Sequence, residues 1–392
     1  MFLSAILLAV APLALVVYAY ALYPAILWLV GRRRGIRNPP ADPPSWPYVT
    51  ITVPVHNGGN VVRSTIDQLL RLDYPRDRLE ILVISDASTD DTDDIVRGYA
   101  DRGVGLLRVP VRSGKTIAEN LAVAHARSDI IVNVDASIGV LPGSLKPLVR
   151  EFSDPAVGVV SGRDVSIGEI SREGNRAESG YVGYEMWIRE LETRVGSIVG
   201  ASGCFYGFRR CVHEVALPPG LSWDFASALV ARELGYRSVS AVAAVCVVPR
   251  TTALRTELRR KVRTMARGIS TLMFKWRLMN PAQYGGFALM LISHKLVRWL
   301  PYLLAPFALM ALAWLSSGSQ AARLLLVASL AAIAVGIVGI RWPRSRRIPR
   351  TIAFAGFVLA AIIAGFAAWV SALRGESMPT WDPTPRGRPQ TT

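Results

Sequence analysis

Four polar clusters in this chain each follow a short apolar run or open a helix, where a side chain is free to do chemistry. Pro54-Val55-His56-Asn57-Gly58-Gly59 follows Val49–Val53, and Ser85-Asp86-Ala87-Ser88-Thr89-Asp90-Asp91 follows Glu80–Ile84. Asp135-Ala136-Ser137 follows Ile130–Val134, and Ser222-Trp223-Asp224 leads into a helical stretch. Carboxylates in such places can accept N–H bonds, hold a divalent cation or take a proton from a hydroxyl. One aspartate alone would read as a turn residue or helix N-cap; several in succession point to a site. Ser113-Gly114-Lys115-Thr116 looks like the end of a phosphate-binding P-loop, but that motif needs a glycine at position 109, which is valine, so Walker-type ATP hydrolysis is not expected. Cys204, Cys211 and Cys246 lack metal-ligand spacing and are odd in number, so they read as buried reduced thiols. His125, His213 and His294 read as structural.

The elements that must position these groups follow from periodicity. Short β-branched runs at 49–53, 80–84, 105–109 and 130–134 alternate with helical patterns at 61–72, from Thr92, and at 116–126. Alternation on that scale predicts a mainly parallel sheet. Ligands bind such sheets beyond the carboxyl ends of the strands, where the aspartates sit.

The rest of the chain reads as membrane. Of 392 residues, 51% are hydrophobic and 19% charged, with 45 Lys+Arg against 29 Asp+Glu and a net charge of +16. The mean hydropathy is +0.31 and the pI about 10.3. That apolar content excludes a disordered chain, and three cysteines exclude a disulfide scaffold. A nucleic-acid binder would explain the arginines but not the hydrophobicity, and it predicts steeply salt-dependent binding. Leu3–Val30 carries no charge and is followed by Arg32, Arg33, Arg34 and Arg37, the order expected of an uncleaved anchor with its N-terminus outside. Trp299–Ala322, Leu324–Ile340 and Ile352–Leu373 are also uncharged. Arginines 341, 344, 346, 347 and 350 mark the loop before the last run as cytoplasmic. Parity then puts Ser317 and the tail outside. Between 254 and 276 the apolar residues recur every three or four positions, with a basic opposite face that includes Lys261, Arg267 and Lys275, the pattern of a helix lying in the membrane interface. The expected divisions are an anchor (1–31), a Pro/Arg linker (32–47), a cytoplasmic domain (48–250), interface helices (251–295), three membrane helices (296–373) and a tail (374–392).

From Tyr48 to Trp299 the residues resemble the membrane-embedded inverting glycosyltransferases of family 2, such as hyaluronan, cellulose and poly-N-acetylglucosamine synthases and ceramide glucosyltransferase. Val53-Pro54-Val55-His56-Asn57 is similar to P-V-Y-N-E, Asp73-Tyr74-Pro75 to D-Y-P, and Ser85–Asp90 to D-D-G-S-T-D. Gly114-Lys115-Thr116 with Asn120 is similar to G-K-x-x-A-L-N, and Asp135-Ala136-Ser137 stands in place of D-A-D. Gly200–Arg210 resembles G-x-x-G-x-x-Y-x-x-R-R, Ser222-Trp223-Asp224 takes the T-E-D position, and Arg260–Thr264 that of Q/R-x-x-R-W.

The resemblance implies a GT-A type α/β domain with one N-terminal and three C-terminal transmembrane helices. It implies a UDP-sugar donor bound by Pro54, His56, Asp86, Lys115, Asp135, Arg260 and Arg263, with Asp86 at the uracil and the cations at the diphosphate. Asp135 would hold Mg²⁺ or Mn²⁺ more weakly than usual, because Ser137 replaces the second acid. Asp224 would be the general base for direct displacement. Gly203, Tyr206 and Trp223 would meet the acceptor, with the indole available for sugar stacking, and Thr264 in the usual Trp position would alter acceptor recognition. The implied activity is sugar transfer to a polysaccharide or lipid at the cytoplasmic face of the cell membrane, in exopolysaccharide or glycolipid synthesis. Tyr181, Tyr184, Glu185 and Trp187 could add an acceptor groove. The alternatives are a catalytically impaired sugar-binding partner, suggested by the departures at Gly58, Ser137, Trp223 and Thr264, and the nucleic-acid binder.

Overall fold

A computed structural model describes residues 2–35, 37–167, 173–249, 254–342 and 348–380. β1 (Val49–Val55), β2 (Leu79–Asp86), β3 (Val104–Val109) and β4 (Ile130–Val134) lie parallel in the order β3-β2-β1-β4. Every residue of β1 and β4 is buried, which is why these strands read as continuous apolar runs rather than alternating ones. α3 (Gly59–Leu69), α4 (Thr92–Arg97) and α5 (Lys115–His125) make the crossovers. β5 (Gly139–Val140), α6 (Leu145–Arg150), β6 (Val157–Ile167), α7 (Glu173–Val195), β7 (Phe205–Arg209), α8 (Trp223–Glu233) and β8 (Arg237–Pro249) complete an eight-stranded sheet, β3-β2-β1-β4-β7-β6-β8-β5. β7 runs antiparallel to both β4 and β6, while β6 and β8 are parallel. The parallel expectation thus holds for the first half, and the second half is mixed. One buried cluster joins Val53, Ile66, Val83, Val132, Val160 and Phe205, and others hold the alternate strand residues such as Ile131 and Ile84.

Among the described residues, four helical runs are long and apolar enough to cross a membrane: Phe2–Arg34, Gly286–Leu315, Gln320–Arg341 and Arg350–Leu373. The first joins α1 (Phe2–Val17) and α2 (Tyr23–Arg34) through a π-helical turn. α9 (Leu254–Phe274) and the short α10 (Pro281–Tyr284) precede α11 (Gly286–Leu291), which continues through a second π turn into α12 (Val297–Leu315). α13 (Gln320–Arg341) and α14 (Arg350–Leu373) follow. The second run therefore begins before the expected Trp299 and stops at Leu315, where Ser319 caps the start of α13.

The early start brings His294, Lys295 and Arg298 into the helix, where they share the α7 carboxylates Glu185 and Glu192. His294 lies 2.6 Å from Glu192 and 2.9 Å from Glu185, Arg298 donates to Glu185 at 2.6 Å, and the Tyr23 hydroxyl donates to Glu192 at 2.6 Å. A buried network of this kind is stable only when its members satisfy one another, and here it fastens the anchor and α12 to α7. Tyr184 packs against Tyr20 at 5.6 Å, so Tyr184 and Glu185 join domain to anchor rather than lining a groove; the Tyr181 side chain lies outside the described residues.

The tail also departs from the parity expectation. Trp369 Nε1 donates to the Trp299 carbonyl at 2.9 Å, and Ala368, Trp369 and Ala372 pack on Ala266 and Ile269 of α9. Past α14 a Cβ on Gly220 would meet Ser377 Oγ at 2.8 Å, and one on Gly114 would collide with the Pro379 carbonyl. Residues 377–379 therefore lie on the domain, not across the membrane from it. Three full crossings that start at the domain cannot end there. Arg344, Arg346 and Arg347 lie outside the described residues.

Candidate active site

The parallel strand ends are cross-tied before any ligand is considered. β1 pairs with β4 only as far as Thr52, so the missing N–H of Pro54 falls beyond that ladder and costs no bond there. His56 is buried, with Nδ1 2.7 Å from the Asp86 carbonyl oxygen. Asp86 is fully buried at the end of β2, and its two carboxylate oxygens accept the Ser113 and Gly114 N–H groups at 2.7 and 2.8 Å. Gly114 adopts φ +92°, a backbone state that favours glycine, and it turns the chain directly into α5.

Lys115 opens α5 and points into the middle of the site. Its Nζ lies 2.6 Å from Asp135 Oδ1, 2.8 Å from the Gly203 carbonyl and 3.9 Å from Glu119 Oε1. Burial works to lower the ammonium's pKa, but Asp135 and Glu119 outweigh it and the net shift is upward. Glu119 sits one turn further along α5, buried, and accepts the Tyr206 hydroxyl at 3.2 Å. Burial pushes its carboxyl up to about 7, with Lys115 opposing the shift.

Asp224 occupies the first turn of α8, where it accepts the Ser222 hydroxyl and the Phe225 N–H. A Cβ at position 203 would stand 2.7 Å from Asp224 Oδ2. Glycine there is what allows the Asp224 carboxylate to sit beside the loop whose carbonyl holds Lys115. Lys115, Asp135, Gly203 and Asp224, expected separately from the sequence, therefore stand together.

Two acceptor expectations need correction. Trp223 is 1% exposed; its Nε1 donates to Asn120 Oδ1 at 2.7 Å, and its ring stacks on His213 at 3.6 Å. An indole enclosed on these sides has no face to offer a sugar. Tyr206 is fully buried, with its hydroxyl committed to Glu119. Arg260 and Arg263 lie half-buried on α9. Arg267 also reaches this part of the site, donating to Thr116 Oγ1 at 2.5 Å and to the Leu221 carbonyl. Its sequence placement on a polar face of an interface helix missed this, although it follows Arg263 by one helical turn. Glu119 was missed too, with the same i, i+4 spacing from Lys115 as its only trace.

Among the described residues no three His, Cys, Asp or Glu side chains are grouped to hold a metal ion. A hard divalent cation that keeps its waters and binds through one carboxylate plus substrate phosphates still suits a donor set of Asp135 alone.

Residues 50–215 match the family described as Glycosyl transferase family 2. An N-acetylglucosaminyltransferase of Rhizobium sp. (strain N33) is 25% identical over 226 residues, 52% of this chain and 49% of that protein. The "Probable glycosyltransferase YdaM" of Bacillus subtilis (strain 168) is 36% identical over 95 residues, 23% of each chain. The chain thus spans about half or less of the length of these curated relatives. The mannosyltransferase PcManGT from Pyrobaculum calidifontis, solved in complex with GDP-Man and Mn²⁺, superposes with a TM-score of 0.70 at 24% identity, covering 94% of this chain and 100% of that one. That likeness concerns the fold: a GT-A sheet, mostly parallel but mixed, with one apolar helix before it and three after. Residues 50–215, which run from β1 through β7 and hold most of the polar strand ends gathered at one edge, are therefore similar to glycosyl transferase family 2 domains.

Proposed function

We propose that the chain is a membrane-integrated inverting glycosyltransferase, moving a sugar from a UDP-sugar to a polysaccharide or lipid acceptor at the cytoplasmic membrane face. The observation that carries this reading is the convergence of Lys115, Asp135 and Asp224 around Gly203. A cation and a carboxylate at the end of β4 suit a diphosphate, and a second carboxylate beside them suits the incoming hydroxyl. Asp86 and His56 form the floor of the nucleotide end. Asp135 would hold a divalent cation, Mg²⁺ or Mn²⁺, which when bound neutralises charge on the departing diphosphate. Lys115, and Arg260 and Arg263 on α9, would add fixed positive charge for that leaving group.

Asp224 Oδ2 would take the acceptor hydroxyl's proton as its oxygen attacks the anomeric carbon and the nucleoside diphosphate leaves, a single displacement that inverts configuration. The membrane side of the reading is supported by α9. Thr271 on that helix accepts the Ser222 N–H at 3.2 Å, so the loop bearing Asp224 rests on the interface helix. An acceptor with a lipid or membrane-bound end would approach there.

Detergent-purified protein incubated with a panel of nucleotide sugars should release nucleoside diphosphate from one of them. Asp224→Asn is expected to abolish release by at least about 10²-fold while leaving donor affinity intact. Normal turnover by that variant would overturn the assignment of the base.

A further inference from the structure

Lys115 has one more carboxylate around it than the proposed chemistry uses. Asp135 Oδ1 holds the ammonium at 2.6 Å, yet Asp135 is also the residue proposed to take a divalent cation. Two cations crowded on one carboxylate repel strongly at the low effective dielectric of a partly buried site. The ammonium needs somewhere else to go when the metal arrives. Lys115 is anchored at the first position of α5, so its reach is limited to its own helix face and the loop across from it. Glu119, four residues on, shares that face. It is buried, its Oε1 is already 3.9 Å from Lys115 Nζ, and it accepts a hydrogen bond from the neutral Tyr206 hydroxyl. Glu119 stands where the G-K-x-x-A-L-N pattern has leucine, so a buried acid occupies an apolar position of the pattern. The same chain lacks the second acid at Ser137.

We propose that Glu119 is the alternative seat of the Lys115 ammonium, a positioning residue that frees Asp135 for the divalent cation. This inference rests on the reading of Asp135 as the metal ligand. On loading, Lys115 turns from Asp135 to Glu119, keeps the Gly203 carbonyl within reach, and leaves a buried, charge-matched pair under the diphosphate site. The site thereby holds one carboxylate for the metal and one for the lysine.

The test titrates Mn²⁺ alone into the full chain in detergent and follows free Mn²⁺ by electron paramagnetic resonance, with no donor and no turnover. Wild type should bind, and Asp135→Asn should not. Glu119→Gln should weaken binding by about threefold or more, and Glu119→Leu, which restores the pattern's residue and suits a buried position, should do the same. Lys115→Met should tighten binding, and adding Glu119→Gln to it should change nothing further, because no ammonium is left to reseat. Wild-type affinity in both Glu119 variants overturns the proposal. So does a weakening that persists in the Lys115→Met background, which would mark Glu119 as a general source of negative charge or packing. Absence of Mn²⁺ binding by wild type both alone and with UDP added to supply the phosphates would instead overturn the reading of Asp135 beneath it.

Discussion

Trp223 and Asp224 are adjacent in sequence and have opposite surroundings. The carboxylate faces the Gly203 loop, while the indole is closed in by His213 and Asn120. A strand-end or helix-start carboxylate was legible because burying an unpaired charge is expensive, so it must be met by N–H donors, a cation or solvent. An aromatic beside it carries no such constraint: a binding platform and a core residue look the same in one sequence. Trp223→Ala is therefore expected to destabilise the domain by about 3–5 kcal/mol, as a large core truncation does, read as a fall in the thermal midpoint in detergent. The Michaelis constant for acceptor should hold at temperatures where the variant stays folded. Loss of acceptor affinity at unchanged stability would return the indole to the acceptor site.

α5 is the element that gathers the site, since Lys115, Glu119 and Asn120 all project from it and reach the Gly203 carbonyl, Tyr206 of β7 and the Leu217 carbonyl respectively. Its existence was legible from periodicity, as were β1 to β4, since strands buried as β1 and β4 are leave uninterrupted apolar runs. The mixed half of the sheet was not, since β7 enters between β4 and β6 from far along the chain and no local pattern encodes that neighbour. What fixes the start of α5 is Asp86, whose two oxygens each hold one N–H of the Ser113-Gly114 turn. The resemblance alone assigns Asp86 to the nucleotide base, and these bonds give it a second duty. Asp86→Asn keeps one oxygen and puts an N–H donor opposite the other amide. The expected loss is about 1–3 kcal/mol of stability, together with weaker UDP binding by calorimetry because Lys115 is no longer held in register. A variant that lost UDP affinity at wild-type stability would show the carboxylate serving the base alone.

At the scale of the whole molecule, the net charge of +16 and the apolar excess have separate origins. Arg32, Arg33 and Arg34 close the anchor where it meets the domain, whereas Lys115 and Arg267 are drawn into the site and held by its oxygens. Arginine counts and hydropathy made four apolar runs legible, but they treat each run as a crossing and cannot register where its ends are tied. Phe2 packs near Trp314 at 6.5 Å, so the start of α1 and the end of α12 share the end far from the domain. Trp369 is tied to Trp299 at the domain end, and Ser377 and Pro379 cover Gly220 and Gly114. The tail thus belongs with the domain, and that placement can be read by labelling. With Cys204 and Cys211 replaced by alanine and Cys246 left enclosed in the core, one accessible cysteine at a time, at Ser377, at the exposed domain position Ser153 or at the exposed turn position Ser317, would be treated with a membrane-impermeant maleimide in sealed vesicles of each orientation. Ser377→Cys is expected to label from the same side as Ser153→Cys and from the side opposite Ser317→Cys. Labelling of Ser377→Cys together with Ser317→Cys would restore the alternating parity and detach the tail from the donor loop.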